Sequence, residues 1–214
     1  MEPLFHLRRE ASGDPEGLLV LHHGRGTDER DLLRLADFLD SEGRLLVVTP
    51  RAPLTLPGSP GYHWYLVPRV GHPDRASFED ARAALTELHD RLWEESGVGP
   101  ERTVLGGFSM GSVMSYAMAL GADRPAVAGV LAFSGFVPTV DGWEPSFDDR
   151  SGTRAFVSHG RNDPVISIEF AERARELLEG GGLEVTYRES GLGHQIDPAH
   201  LRDAAGWLGE VLAP

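Results

Sequence analysis

An α/β domain built on a mostly parallel sheet is the fold class that this sequence predicts, and three observations predict it. Short apolar runs recur along the chain, and amphipathic, helix-spaced stretches alternate with them. A length of 214 residues, 41% hydrophobic and 25% charged, is enough to bury such a sheet within one domain spanning residues 1–214. Crossovers between parallel strands are right-handed, which sends the helices to both faces.

Leu18-Leu19-Val20-Leu21, Leu45-Leu46-Val47-Val48, Thr103-Val104-Leu105, Val127 to Phe133 and Ala155-Phe156-Val157 are nearly continuous apolar runs, as strands covered on both faces are. Leu183 to Tyr187 is a sixth run. Between them, Ser77-Phe78-Glu79-Asp80 reads as a capping-box-like helix start, and Phe78, Ala81, Leu85, Leu88 and Leu92 then share one face until Gly97. Val113, Met114, Ala117 and Leu120 are helix-spaced up to Gly121, and Ile168 to Leu178 form a further helix before Gly180-Gly181-Gly182. Leu201, Ala204, Ala205, Leu208 and Val211 stripe a last helix, with Asp197 as its N-cap and Pro198 at the first helical position. Two segments escape the alternation, Pro50 to Arg75 and Phe136 to Gly152. Loops of this length in a compact domain usually border a site, and these are too short to form a helical cap domain.

Composition excludes several classes of function. Twenty Lys+Arg against 33 Asp+Glu give a formal charge of −13, a field that repels nucleic-acid backbones and anionic bilayers. There is no cysteine, so a disulfide, a zinc–thiolate site and a thiol nucleophile are all excluded. No apolar run reaches the length of a signal core or a membrane span, so a cytoplasmic protein without membrane insertion is expected. The oligomeric state expected is monomer or homodimer.

Gly107-Phe108-Ser109-Met110-Gly111 matches the nucleophile-elbow pattern, in which small residues let a strand turn sharply into a helix and push a serine hydroxyl outward. With 26 Gly and 14 Ser in the chain, chance produces the string in roughly one such chain in five, so its context decides. A strand precedes it and a helix follows. A serine hydroxyl is a weak nucleophile at neutral pH, so it needs a histidine base, and that base needs a carboxylate. His194, in the glycine-rich loop Ser190 to Gln195 after the last strand, is the candidate base. Asp163, in Gly160-Arg161-Asn162-Asp163-Pro164, is the candidate acid. His159 reads as a structural residue hydrogen-bonded under that loop, and His200 falls within the last helix. Asp141, Asp148 and Asp149 read as solvated loop charges, and Asp197 as a cap. The oxyanion of acyl transfer needs preset N–H donors. Met110 supplies one, and the loop His22-His23-Gly24-Arg25-Gly26-Thr27 supplies the other through Arg25 or Gly26, before a helix capped by Asp28. The paired histidines lack metal-ligand spacing, and the carboxylates near them read as the exposed start of that helix, so no metal is expected.

Taken together, Leu21 to Glu29, Gly106 to Gly111, His159 to Val165 and Gly193-His194-Gln195-Ile196 resemble the phospholipase/carboxylesterase family, small α/β-hydrolases that include acyl-protein thioesterases and bacterial carboxylesterases. The resemblance runs from about residue 18 to the C-terminus. It implies an α/β-hydrolase fold without a separate cap domain, no cofactor, and a small-molecule ester as substrate. It also implies Ser109 as nucleophile, His194 as base, Asp163 as acid, Met110 and Arg25 as oxyanion donors, and Trp64 as a wall of the substrate pocket. Met110 stands where the family's eukaryotic thioesterases usually carry Gln, which draws the resemblance toward the bacterial carboxylesterases. Thioesterase or lysophospholipase chemistry, a lactone substrate, and a catalytically silent ligand-binding module are the competing readings.

Overall fold

The computed structural model describes residues 3–213. Seven strands form one sheet: β1 (His6–Arg9), β2 (Gly17–His22), β3 (Leu45–Pro50), β4 (Thr103–Phe108), β5 (Gly129–Phe133), β6 (Arg154–Gly160) and β7 (Glu184–Ser190). Their spatial order is β1-β3-β2-β4-β5-β6-β7, with β1 antiparallel to β3 and every other pairing parallel. This is an α/β-hydrolase architecture. The six apolar runs occupy β2 to β7; β1 is an additional strand, a polar edge segment too short to carry a periodic signal.

Five helices cover the sheet: α1 (Ala36–Leu39), α2 (Arg75–Ser96), α3 (Met110–Leu120), α4 (Ile168–Gly180) and α5 (Pro198–Val211). Successive strand residues point to opposite faces, and the core divides accordingly. Leu18, Val20, Val48 and Leu105 pack beneath α2, α3 and α4, whereas Leu19, Leu21, Val47 and Val104 pack beneath α1 and α5. Deleting one of these side chains to alanine costs about 2–5 kcal/mol.

Two helix starts differ from the sequence reading. The N-cap of α2 is Asp74, three residues before the expected serine: its Oδ1 accepts the Ser77 N–H at 3.0 Å and the Ser77 hydroxyl at 2.7 Å. After Asp28 the chain makes turns, and only Leu33–Leu35 (a 3₁₀ turn) and the short α1 follow. Glu29 is not an exposed helix-start charge: it is fully buried and accepts two hydrogen bonds from Arg51, each 2.7 Å. The other ends agree, with Gly97 left-handed (φ 68°) closing α2 and the Asp197 carboxylate accepting the Ala199 N–H at 2.7 Å. Residues 51–74 and 134–153 contain no helix, so no cap domain stands over the sheet's carboxyl edge. No described helix is long and apolar enough to cross a membrane.

Candidate active site

Ser109 ends β4 in a conformation that L-residues rarely adopt, φ 55° and ψ −119°. That turn is possible because its neighbours lack side chains: a Cβ on Gly111 would overlap the His22 carbonyl, and one on Gly107 would lie 2.7 Å from the same oxygen. Ser112 secures the turn from below. Its hydroxyl donates to the Gly107 carbonyl at 2.6 Å and receives the Phe133 N–H at 3.0 Å, while the Ser109 N–H donates to the Phe133 carbonyl at 2.8 Å. The strained backbone is thus held by the adjacent strand, as strain at functional positions has to be.

The loops after β6 and β7 bring Asp163 and His194 to this serine. His194 Nε2 lies 2.9 Å from Ser109 Oγ, and its Nδ1 lies 2.6 Å from Asp163 Oδ2. An ionised carboxylate only accepts, so Nδ1 carries the proton and Nε2 is free to accept from the serine. The Phe108 ring packs against the imidazole at 4.9 Å. Asp163 is fully buried at its side chain. Burial pushes its carboxyl up, but the N–H groups of Ile166 and Val165 on Oδ1, at 2.9 and 2.8 Å, together with His194, outweigh this and hold it below the usual aspartate range. His159 is buried beneath the loop, with Nε2 2.8 Å from the Ile166 carbonyl and 3.3 Å from Asp163 Oδ2. His200 Nδ1 pairs with Ser158 Oγ at 2.8 Å, and Asp141, Asp148 and Asp149 are exposed in the 134–153 segment.

Neither the N–H of Met110, at the start of α3, nor that of Arg25 donates to a protein acceptor among the described residues. The Gly26 N–H is engaged, donating to the Tyr62 carbonyl at 3.0 Å, so of the two candidates in that loop Arg25 is the available one. The adjacent histidines serve separate surroundings. His22 Nδ1 pairs with Ser115 Oγ at 2.9 Å, and burial with the neighbouring His23 lowers the His22 pKa to about 3. His23 pairs with Gly24 and Ala52.

Trp64 departs from its expected place. It is 0% exposed and packs against His22 and His23, its indole N–H donates to the His23 carbonyl at 2.9 Å, and its main-chain N–H points at Met110 Sδ, 3.3 Å away. Its ring therefore supports the loop of His22 to Thr27 from behind and presents no exposed surface. A groove of about 1500 Å³ is lined by other apolar groups, among them Val70, Phe136, Val137, Phe170 and Leu177. Phe136 follows Gly135, at which a Cβ would lie 3.2 Å from the Ser109 carbonyl, but none of Ser109, Asp163 and His194 lines the groove. No periodic signal marks it, because its residues come from irregular segments and from scattered positions on α2 and α4.

The chain is 30% identical to esterase PE8, whose crystal structure superimposes with a TM-score of 0.80 over 98% of this chain and 99% of that one. The Bacillus cereus carboxylesterase shares the fold at 24% identity, with a TM-score of 0.85 over 97% of this chain and 94% of its own. An acyl-protein thioesterase 1 of Gibberella zeae is 33% identical over 134 residues, covering 59% of this chain and 56% of that protein, so the match spans about half of its length. Residues 9–212 match the phospholipase/carboxylesterase family as a whole, and the chain belongs to that family of hydrolases.

Proposed function

We propose that this protein is a serine hydrolase that cleaves carboxylic esters of small to medium size through an acyl-enzyme on Ser109. The observation that carries the reading is the position of His194, with one ring nitrogen 2.9 Å from the Ser109 hydroxyl and the other 2.6 Å from the buried Asp163 carboxylate. His194 Nε2 takes the hydroxyl proton as Oγ forms its bond to the substrate carbonyl carbon, and the carbonyl electron pair moves to oxygen. The N–H groups of Met110 and Arg25 receive that oxyanion. The imidazolium then returns its proton to the departing alkoxide, and the alcohol leaves. Water enters by the same steps, its proton going to His194 and its oxygen to the acyl carbon, and Ser109 is released. No step calls for a metal or cofactor.

The carboxyl edge, with no helical cap above it, suits an acyl chain of short to medium length. The similarity to an acyl-protein thioesterase favours a second reading, with a thioester as the bond cleaved by the same residues. A fluorophosphonate probe tests the nucleophile. Label on Ser109 in the parent, with none in Ser109→Ala, is the expected result, and a parent that takes no label refutes the assignment. Rates on p-nitrophenyl esters of increasing chain length, set against matched thioesters, separate the two substrate classes.

A further inference from the structure

An oxyanion donor is only as useful as its aim. The N–H of Met110 is directed by the first turn of α3. Arg25 lies in an irregular loop and nothing grips its own N–H, so its direction has to be set elsewhere. A trans peptide is planar, with N–H and C=O antiparallel, and no cis peptide occurs among the described residues. The carbonyl of Gly24 and the N–H of Arg25 are therefore two ends of one rigid plate.

The carbonyl end is held twice. His23 Nδ1 lies 2.7 Å from the Gly24 oxygen, and the Thr27 hydroxyl donates to the same oxygen at 3.1 Å. The ring's tautomer follows from its far side: the Ala52 N–H donates to Nε2 at 3.0 Å, so Nε2 is bare and Nδ1 carries the proton. Burial lowers the pKa of His23, against the opposing pull of the Gly24 carbonyl, which keeps the ring in this neutral form. Thr27 is fixed in turn, since its carbonyl accepts the Tyr62 N–H at 2.8 Å.

We propose that His23 and Thr27 are positioning residues for ester hydrolysis: by gripping the Gly24 carbonyl they aim the Arg25 N–H at the forming oxyanion. Neither touches substrate. The inference rests on the reading of Ser109 as nucleophile and Arg25 as donor. A misaimed donor weakens only the transition state, so the signature is a fall in kcat with KM unchanged.

The test compares Thr27→Val, which removes the hydroxyl at nearly constant volume, with Thr27→Ser, which keeps it. Both are measured for kcat and KM on p-nitrophenyl acetate and for Tm, with the parent also assayed for fluorophosphonate labelling at Ser109. Loss of a whole oxyanion donor costs about 10²–10³ in kcat, so Thr27→Val is expected to lose about tenfold, with KM within about twofold and Thr27→Ser close to the parent. His23→Asn, whose amide can still donate near the Nδ1 position, is expected to keep more kcat than His23→Gln. Parental kcat in Thr27→Val overturns the proposal. So does equal impairment of both Thr27 variants with a matching fall in Tm, because the threonine is then only structural. A parent that neither turns over ester nor takes label overturns the serine-hydrolase reading and this inference with it, whereas a labelled parent insensitive to Thr27→Val overturns the inference alone.

Discussion

Trp64 bridges the His23 carbonyl and the Met110 side chain: its indole N–H donates to the former at 2.9 Å, and its main-chain N–H is aimed at the thioether of the latter at 3.3 Å. The residue is fully buried, so it is expected to act on stability and on the backbone it supports.

Trp64→Phe keeps most of the packing and orphans the His23 carbonyl. A buried acceptor left unpaired costs about 1–3 kcal/mol, and Tm is expected to fall by roughly 2–4 °C for each kcal/mol in a chain of this size. Trp64→Ala adds a cavity, for about 3–5 kcal/mol in all. Differential scanning calorimetry checks both. If Trp64→Ala instead leaves Tm unchanged and shifts relative kcat/KM across acyl lengths, the ring reaches the substrate after all.

Ser109 combines the hydroxyl proposed as nucleophile with a strained backbone, φ 55°. Ser109→Ala is expected to fold and lose nearly all turnover. Ser109→Gly is expected to be equally inert yet more stable than Ser109→Ala, because glycine relieves a conformation that costs other residues about 1–3 kcal/mol. A lower Tm in the glycine variant contradicts this account of the elbow.

Arg25 is proposed to act through its main chain, and its side chain is exposed without a recorded ion pair among the described residues. Arg25→Ala is expected to keep kcat within a few-fold of the parent, while Arg25→Pro, which deletes the N–H, loses about 10²–10³. Steady-state rates on one ester distinguish them; a crippled alanine variant assigns the work to the guanidinium.

Asp163→Asn is expected to lower kcat by about 10⁴ with the fold intact, since an amide cannot hold His194 in the Nδ1–H form. Asp148→Asn and Asp149→Asn, both on the exposed segment, are expected to be silent. Should either of those abolish turnover, the acid lies in the wrong loop.

The Glu29–Arg51 pair sets an acid limit on stability. The Arg51 hydrogen bonds, acting against burial, lower the Glu29 pKa to about 2, below its value in the unfolded chain. A folded pKa depressed in this way means that the unfolded chain binds more protons, so the pair's contribution is present above the ordinary carboxylate pKa of about 4.3 and drains away as the pH falls through the native value. Urea unfolding measured from pH 5 down to about 2 should show a shallower loss for Glu29→Gln than for the parent. Identical slopes remove Glu29 from the acid transition.

Much of this molecule is legible before any coordinates. The runs that became β2 to β7 are so apolar that only a sheet covered on both faces accommodates them, and the elbow, the Asp163 loop and the His194 loop each follow a strand end, where local sequence dictates geometry. What escaped depends on distant partners. β1 is a polar edge segment defined by pairing with β3, Glu29 looks solvated until Arg51 closes over it, and the α2 cap lies at Asp74 because that aspartate, not Ser77, accepts the free N–H. Trp64, expected as a pocket wall from the family resemblance, is buried instead, and an aromatic residue in a long loop carries no signal for which way it faces.

The strand order also bears on how the molecule is made. β3 inserts between β1 and β2 and β4 adds to the free side of β2, but from β5 onward each strand docks beside the one synthesised just before it, so this half of the sheet lengthens in the direction of translation. His194 belongs to the loop that follows β7, and among the described residues α5 is the one element after it. A chain stalled on the ribosome before that point presents the Ser109 elbow without His194, so on the mechanism proposed above the nascent polypeptide is chemically silent until the β7 loop has emerged.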